Sequence, residues 1–557
     1  MTTRLSMSTN DLNSHQQAFD RIEHSYITTW CRFHPEEALE AGIEDHAGKL
    51  KPHDDETIGI QIVLNEKCIA ALDEVDFEQL DEERKIHYKI LHGCAELEHH
   101  SLMDHDWRHR DPTQFLPINA LHQLTIRPVE NIELALKDRL AAIPTHIRDA
   151  KNYLATVPEI IPKVWLEMAV AEADAGINYL HQLHQHPVVA DAINVNDQIE
   201  QAIADATKSL ESFLPALKRL LSKCDGDFSC GREHFERLLK QRHFLPINSQ
   251  SLYEFGQRLF DQTRQELDVE LKISDETLAS IQQQHPEADQ LLAHYQQEML
   301  AAQDFLREYD LVTLPAQQEL QVVTTPEFLQ HQIPFAAYLD PSIADLSQTG
   351  YYYVTPIKND DELTEHNHAA ISQTSVHEAW PGHHLQFVTA NQSAQGSHLL
   401  RRLHPSATLY EGWALYCEQM MLEQGFERHS GQKIVMLRDR LWRALRIMID
   451  VEIHTQGLSL EGAAQKMVDA LGFSFDQAMG ELNWYSQAPT VPMSYAVGWA
   501  LINALRDIVN PGNTAELKGF HDKLLASGSV ALSLVIQRQF GQDVWQKCCQ
   551  HVFGEHL

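Results

Sequence analysis

The sequence predicts a mostly α-helical protein with one small antiparallel sheet beside a histidine-rich helix. Two observations favour this fold class. Short β-branched or aromatic runs, bounded by Pro, Gly and Asp, mark strands between residues 320 and 356. Apolar residues at three- and four-residue spacing among Glu, Gln, Lys and Ala predict helices at residues 80–102, 129–155, 160–184 and 196–221.

The helical pattern continues through residues 274–310, where Pro286 predicts a kink or a break. The three strand-like runs LQVVTT, IPFAAYLDPS and TGYYYVTP follow. The helices predicted after them span residues 367–391, 407–424, 432–456, 460–471, 473–485, 493–509, 515–527 and 532–547.

The domain organisation is predicted from length and from the lack of a linker. The chain has 557 residues and 43% hydrophobic residues, enough to bury a large core. No Pro/Gly/Ser-rich segment separates two halves, so we expect one mostly helical unit over residues 1–557. Within it, residues 1–310 form an N-terminal helical half, and residues 311–557 carry the sheet and the histidine motif.

Charge and segment composition exclude several classes of partner. The net charge is −35, which repels phosphate backbones and anionic membrane surfaces. The first residues, MTTRLSMSTNDLNSHQQ, lack the apolar region of a signal peptide, and no run of about 18 apolar residues appears. The 8 Cys form no CxxC pair, as expected for reduced thiols. We therefore expect a cytoplasmic protein with neither nucleic acid nor membrane as partner.

The stretch HEAWPGHHLQ, residues 377–386, departs from the zinc-protease motif H-E-x-x-H. His377 and Glu378 match the first ligand and the general base. On a continuous helix, with 100° and 1.5 Å per residue, His383 would point roughly 120° away from His377. His384 would lie about 10 Å further along the axis. An unbroken helix therefore brings neither histidine to a metal held by His377.

Pro381 and Gly382 supply a way to deform the helix. Pro381 has no N–H to donate to the carbonyl of His377, and Gly382 can adopt backbone angles that other residues avoid. As a two-residue bulge, Pro-Gly would restore the spacing H-E-A-W-H with His383 as second ligand. The alternative is that Pro-Gly ends the helix and the histidines interact with its C-terminal dipole.

The third ligand is expected on a later helix. The stretch TLYEGWALYCEQM offers Glu411 and Glu418, and Glu411 follows His383 by 28 residues. A lone Glu among aromatic residues is costly to bury unless it is paired or bound to a metal. The alternative is that Glu411 lies on the polar edge of an amphipathic helix.

Two later stretches could also contribute to a site. Arg443, Arg446, Asp450 and His454 recur at three- and four-residue spacing, which puts several of them on one helical face. They could equally form an internal ladder of salt bridges. Tyr495 follows a Pro-rich turn and could donate a hydrogen bond to an oxyanion, or could be a packed aromatic residue.

Taken in order, HEAWPGHHLQ, YEGWALYCEQ, RALRIMIDVEIH and PMSYAVGW resemble the bacterial DUF885 family, most specifically over residues 330–510. The resemblance implies a helical metallopeptidase-like fold, similar to oligopeptidase and carboxypeptidase zincins, with a deep cleft between helical halves. It also implies roles for single residues. They are His377, His383 and Glu411 as ligands of one zinc ion, Glu378 as general base, Tyr495 as transition-state donor, and His454, Arg446, Tyr352 and His384 near the substrate.

In that resemblance, GYYYVT with Tyr352 is the edge strand along which a peptide would lie. His384 is an alternative ligand to His383. The expected function is that of a zinc-dependent peptidase, an oligopeptidase or carboxypeptidase, acting on short peptides. A zinc amidase acting on a non-peptide amide and an inactive helical peptide-binding protein are the alternatives. A carboxypeptidase needs a cation for the substrate carboxylate, for which Arg443, Arg446 and Arg506 are the candidates.

Overall fold

The structure, a computed structural model, describes residues 9–333, 335–357 and 359–554. It is mostly helical with one small sheet, so the predicted fold class is confirmed. Internal contacts divide the chain into two compact units. The first unit contains residues 9–226 and 398–404, and the second contains residues 227–397 and 405–554. Residues 227–310 thus pack with the second unit, whereas we placed them in an N-terminal half; the single-unit organisation stays a prediction.

The first unit is built only of helices among its described residues. The 25-residue α7 and the 23-residue α10 pack together and contain the internal prolines Pro144 and Pro215. Its α-helices up to residue 226 are α1 (Thr9–Trp30), α2 (Pro35–Glu40), α3 (Asp55–Asp73), α4 (Glu82–Asp104), α5 (Trp107–Arg110), α6 (Ile118–Ile126), α7 (Ile132–Thr156), α8 (Lys163–Gln182), α9 (Pro187–Val195) and α10 (Gln198–Leu220).

The second unit holds the sheet and most of the remaining helices. The break expected at Pro286 is present, because helix is interrupted there between α13 and α14. The elements are α11 (Gly231–Gln241), α12 (Ser249–Ile273), α13 (Leu278–Gln282), α14 (Leu291–Tyr309), β1 (Glu319–Thr324), β2 (Ala336–Leu339), β3 (Thr349–Val354), α15 (His368–Glu378), α16 (His383–Gln392), α17 (Leu399–Leu403, in the first unit), α18 (Ala407–Glu423), α19 (Gln432–Thr455), α20 (Leu460–Leu471), α21 (Phe475–Gln487), α22 (Val491–Val509), α23 (Thr514–Leu525), α24 (Leu532–Phe540) and α25 (Gln542–Phe553).

The sheet is mixed, and the prediction of an antiparallel sheet is wrong for one of its two pairings. Its order is β1-β3-β2, with β3 parallel to β1 and antiparallel to β2. The chain reverses direction twice after β1, so β3 enters between the two earlier strands in the direction of β1. The predicted edge strand is therefore the central one.

The sheet is fixed to the histidine-rich helix by a cluster of apolar side chains. Tyr352 of β3 is fully buried and packs with Leu291 and Tyr295 of α14 and with Ile371 of α15. This contact sets the position of α15, which carries His377 at its C-terminal end.

Two glycines bring α18 and α22 into main-chain contact. A Cβ on Gly412 would overlap the Cα of Gly498, and a Cβ on Gly498 would overlap the carbonyl oxygen of Thr408. Glu411 on α18 and Tyr495 on α22 lie one and three residues from these glycines. Their separation is therefore set by the two backbones.

We expect Gly498→Ala to destabilise the protein by roughly 1–3 kcal/mol, because the added methyl group must push α22 away from α18. The measurement is the midpoint of denaturant or thermal unfolding. Gly519→Ala in α23 is the matched control. A Cβ there meets nothing within 4 Å, so the helix propensity of Ala should leave stability equal or higher. Equal unfolding midpoints for the two variants would contradict the close contact.

Candidate metal centre

The Pro-Gly dipeptide ends one helix and begins another, so the predicted two-residue bulge within one helix is wrong. α15 stops at Glu378, and α16 starts at His383. Between them, the N–H of Gly382 donates to the carbonyl oxygen of Val376 at 3.0 Å. The indole N–H of Trp413 donates to the carbonyl oxygen of Pro381 at 2.8 Å. The peptide bond before Pro381 is cis.

Gly382 is required where this turn meets the end of α15. A Cβ at this position would overlap the carbonyl oxygen of His377. The absence of a side chain thus lets the chain fold back onto α15 within a few residues. The turn places His383 beside His377. The alternative, in which Pro-Gly only ends the helix, did not predict this.

His377, His383 and Glu411 converge on one point. Nε2 of His377 lies 3.3 Å from Oε2 of Glu411, and Nε2 of His383 lies 3.4 Å from the same oxygen. The two imidazole rings are nearly perpendicular, with centroids 4.8 Å apart. The three residues are 5%, 6% and 8% exposed, respectively. Two nitrogens and one oxygen in this arrangement could share a single ion.

The donor set fits a divalent transition metal such as zinc. Oε2 of Glu411 is buried and accepts no hydrogen bond, although two ring nitrogens are close to it. An unsatisfied buried carboxylate oxygen is costly unless a positive charge is next to it. Two imidazoles and one carboxylate are a ligand combination of catalytic zinc sites. His377, His383 and Glu411 are therefore a group that could hold a metal.

Glu418 lies behind His377 and fixes the orientation of its ring. Nδ1 of His377 donates to Oε1 of Glu418 at 2.7 Å, which leaves Nε2 for the cluster. The two acidic residues raise the pKa of His377 to about 10 although burial opposes this, and the two histidines hold the pKa of Glu411 far below its usual range. Glu418 was the alternative third ligand. Glu418 follows Glu411 by seven residues, which is two helical turns. This spacing indicates that both carboxylates lie on the same face of the helix.

His384 does not take part in the cluster. Its Nδ1 accepts a hydrogen bond from the hydroxyl of Tyr338, and its Nε2 donates to Oε1 of Gln318, both at 3.0 Å. Burial lowers the pKa of His384 to about 3, so the ring is neutral. Because both nitrogens are used elsewhere, the structure favours His383 over His384 as the residue facing the metal. His384 does not line the cavity described next.

A cavity of about 350 Å³ opens in front of the cluster within the second unit. Glu378 is partly exposed to it, directly after His377. Burial raises the pKa of Glu378, and His377 and His383 oppose this. The lining of the cavity also includes His377, His383, Glu411, Ala336, Ala337, Tyr338, Asp439, Trp442, Arg443, Arg446, Glu481, Trp484 and Tyr495.

Of the more distant predicted residues, Tyr495 and Arg446 lie on the cavity. The Tyr495 ring is parallel to that of His377 at 6.1 Å, and the guanidinium of Arg446 lies 4.7 Å from the Tyr495 ring centre. Burial raises the pKa of Tyr495 well above its ordinary value, so its hydroxyl keeps its proton.

His454 and Tyr352 do not line the cavity, contrary to expectation. His454 is buried, donates to the carbonyl oxygen of Tyr485 at 3.0 Å and accepts from the N–H of Cys230 at 3.4 Å. Asp450, one turn earlier, accepts from the N–H groups of Thr490 and Met493 at the start of α22. Asp450 and His454 thus connect α19 to the start of α22 and to α21. Tyr352 is buried because β3 is central.

The aromatic residues Trp442 and Trp484 of the cavity were not singled out from the sequence. Trp442 stands one position before Arg443 on the face that carries the arginines. Trp484 precedes Tyr485 on α21, and its indole N–H donates to Glu481 at 3.2 Å. The position of Trp442 in the helical repeat indicates that it lies on the same side of α19 as the arginines. Nothing in the sequence of α21 indicates that α21 packs beside α19.

Comparisons with known proteins support the fold and the family. The family model described as "Bacterial protein of unknown function (DUF885)" matches residues 35–538. A "putative lipoprotein of unknown function" from Shewanella oneidensis is 20% identical, with TM-score 0.72 and 94% of this chain and 99% of that chain covered. A "putative lipoprotein" from Colwellia psychrerythraea is 18% identical, with TM-score 0.73 and coverages of 97% and 100%. No curated protein matches.

The likeness to one carboxypeptidase structure is distant. An M32 carboxypeptidase from Deinococcus radiodurans R1 is 13% identical, with TM-score 0.39 over 95% of this chain and 100% of that chain. At that score the likeness says nothing about activity.

The expected cytoplasmic location is wrong, because two solved structures with this fold are described as putative lipoproteins. The composition of the first residues was its basis, and residues 1–8 lie outside the described part of the chain. No helix among the described residues is both long and apolar enough to span a bilayer.

We expect protein purified without added metal to contain about one zinc ion per chain, as three converging ligands would bind it. His383→Ala should lose the metal because it removes a ligand, and His384→Ala should keep it. The measurement is elemental analysis of the purified variants. Equal loss in both variants, or no uptake of zinc by the wild type, would contradict the assignment.

Glu418→Gln should keep the site but weaken it, because the amide orients the His377 ring without the carboxylate charge. A loss of about 10–100-fold in zinc affinity is expected, measured by competition with a chromophoric chelator. Glu423→Gln, at the exposed end of the same helix, is the control and should bind zinc like the wild type. Unchanged affinity in Glu418→Gln would show that Glu418 has no part in the site.

Proposed function

This chain belongs to the DUF885 family of bacterial proteins, and we propose that it is a zinc-dependent peptidase acting on short peptides. The observation that carries the proposal is the convergence of His377, His383 and Glu411 at the wall of a cavity that Glu378 also lines. A metal-ligand set, a carboxylate base and room for a substrate meet in one place. They are the components of metal-assisted hydrolysis.

His377, His383 and Glu411 would hold the ion. When bound, it would supply Lewis acidity, polarising the scissile carbonyl and lowering the pKa of a water molecule. The protein's contribution is a rigid, buried ligand set. Glu418 holds the ring of His377, and the main-chain contact of α18 with α22 holds Glu411.

Glu378 and Tyr495 would move and hold protons. Glu378 would accept a proton from the attacking water at a carboxylate oxygen and return it to the leaving nitrogen. Burial keeps Tyr495 protonated, so its hydroxyl is available to donate to the oxyanion that forms on the scissile carbonyl. Both residues line the cavity, on elements fixed by packing.

A peptide is favoured over a non-peptide amide by the position of β2. Among the described strands, β2 has β3 on one side only, and Ala336, Ala337 and Tyr338 of β2 line the cavity. An extended peptide could pair with the main chain of β2 as an added strand. This role was predicted for GYYYVT of β3, which is the central strand. The size of the cavity suits a short segment of chain and not a folded domain.

We expect Glu378→Gln to retain zinc and to lose peptide hydrolysis, because the amide cannot accept a proton. The loss in kcat should be about 10²–10⁴-fold, the usual contribution of a general base. The measurement combines zinc content with turnover of a fluorogenic peptide library by wild type and variant.

Glu427→Gln, a substitution on the exposed surface, is the control for this measurement and should behave like the wild type. A zinc-loaded wild type that cleaves no peptide in the library would overturn the peptidase proposal. Full activity in Glu378→Gln would remove Glu378 as the base.

A further inference from the structure

We propose that Arg443 and Arg446 bind a free carboxylate at the C-terminal end of the substrate, so that the enzyme cleaves near the carboxyl terminus of a peptide. This inference rests on the proposed peptidase function and narrows it to a substrate class. Arg443, Arg446 and Arg506 are the three candidates for this role, and their surroundings in the structure distinguish them.

Both arginines lie on the face of α19 that borders the cavity. Arg443 and Arg446 are three residues apart, and both line the cavity together with Trp442. Arg446 lies 4.7 Å from the ring centre of Tyr495, which in turn is parallel to the ring of His377 at 6.1 Å. The guanidinium group of Arg446 is therefore two side-chain contacts away from the candidate metal centre.

Each of the two guanidinium groups has a buried nitrogen without an acceptor. They are Nε of Arg443 and Nη1 of Arg446. A buried donor without an acceptor is unfavourable, because it gives up its hydrogen bonds to water and gains none. Both side chains also line the cavity, so a carboxylate bound there could accept hydrogen bonds from the guanidinium groups. Guanidinium–carboxylate pairs are among the strongest hydrogen-bonded contacts in proteins.

Arg446 is held rigidly, although part of its charge is balanced. It bonds to the Tyr485 hydroxyl at 2.5 Å and to Oε2 of Glu481 at 3.2 Å. Its guanidinium lies 4.1 Å from the centre of the Trp442 ring. Preorganised in this way, Arg446 loses little freedom when a ligand binds.

The charge of Arg443 is less well balanced. Among the described residues, Asp439 is the one acidic group with which Arg443 forms an ion pair, at 3.5 Å. Burial raises the pKa of Asp439, and the charge of Arg443 opposes this. Arg443 thus brings a positive charge to the cavity that a substrate carboxylate could neutralise.

Arg506, the third candidate, lies outside the cavity. It pairs with Glu423 at 2.6 Å, with its guanidinium 5.4 Å from the ring centre of Tyr416. It is therefore the matched control for a change at Arg443.

The test compares pairs of short peptides that differ only in the end group, a free carboxylate or a carboxamide. With zinc-loaded wild type, kcat/KM for the acid should exceed that for the amide by about 10–100-fold, the size of a charge-assisted hydrogen bond. In Arg443→Gln the preference should fall to about twofold or less, chiefly through KM, whereas Arg506→Gln should keep it. Arg443→Lys should recover part of it.

Binding to zinc-loaded Glu378→Gln protein separates this inference from the proposed function. The probes are an N-acetyl dipeptide and its amide, measured by calorimetry. Tighter binding of the acid, lost in the additional Arg443→Gln variant, supports carboxylate recognition even without turnover. Equal binding and equal hydrolysis of the acid and the amide by the wild type would overturn it. Cleavage of both would then leave the peptidase proposal intact.

Discussion

The second unit is organised around the burial of one carboxylate, that of Glu411. An ionised carboxylate is stable inside a protein only if positive charge or a metal is close to it. Here two imidazoles meet it at 3.3 and 3.4 Å, and each imidazole requires its own structural device. His377 needs Glu418 behind it, and His383 needs the sharp turn at Pro381 and Gly382. The need to place positive charge beside the Glu411 carboxylate thus fixes the positions of the three helices α15, α16 and α18 relative to one another.

Much of the fold could be predicted from the sequence, because helical periodicity is a local property. The break at Pro286 and the helices α4, α7, α8 and α10 fall within a few residues of the predicted ranges. The sheet was located but its strand order was not, because pairing depends on contacts between distant segments. A buried hydrophobic run such as GYYYVT fits a central strand better than an edge.

The candidate site was predicted in composition but not in geometry. Pro381 and Gly382 indicated a deformed helix, yet the direction of the turn is set by the hydrogen bond from Trp413, a tertiary contact. The same limit applies to the adjacent histidines, since only the partners Tyr338 and Gln318 distinguish His384 from His383. The net charge of −35 likewise gave no sign of the arginines beside the cavity, because a sum over the chain does not report a local field.

The glycine contact between α18 and α22 fixes one part of the cavity independently of the side chains in another part. Since main chain touches main chain there, the spacing of Glu411 and Tyr495 does not depend on the side chains of α19 and α21, which form another part of the cavity wall. Substitutions in that part of the wall can change the shape and charge of the cavity without changing the distance between Glu411 and Tyr495. If the proposed peptidase function is right, relatives with this scaffold could differ in the peptides they accept and still share one hydrolytic mechanism.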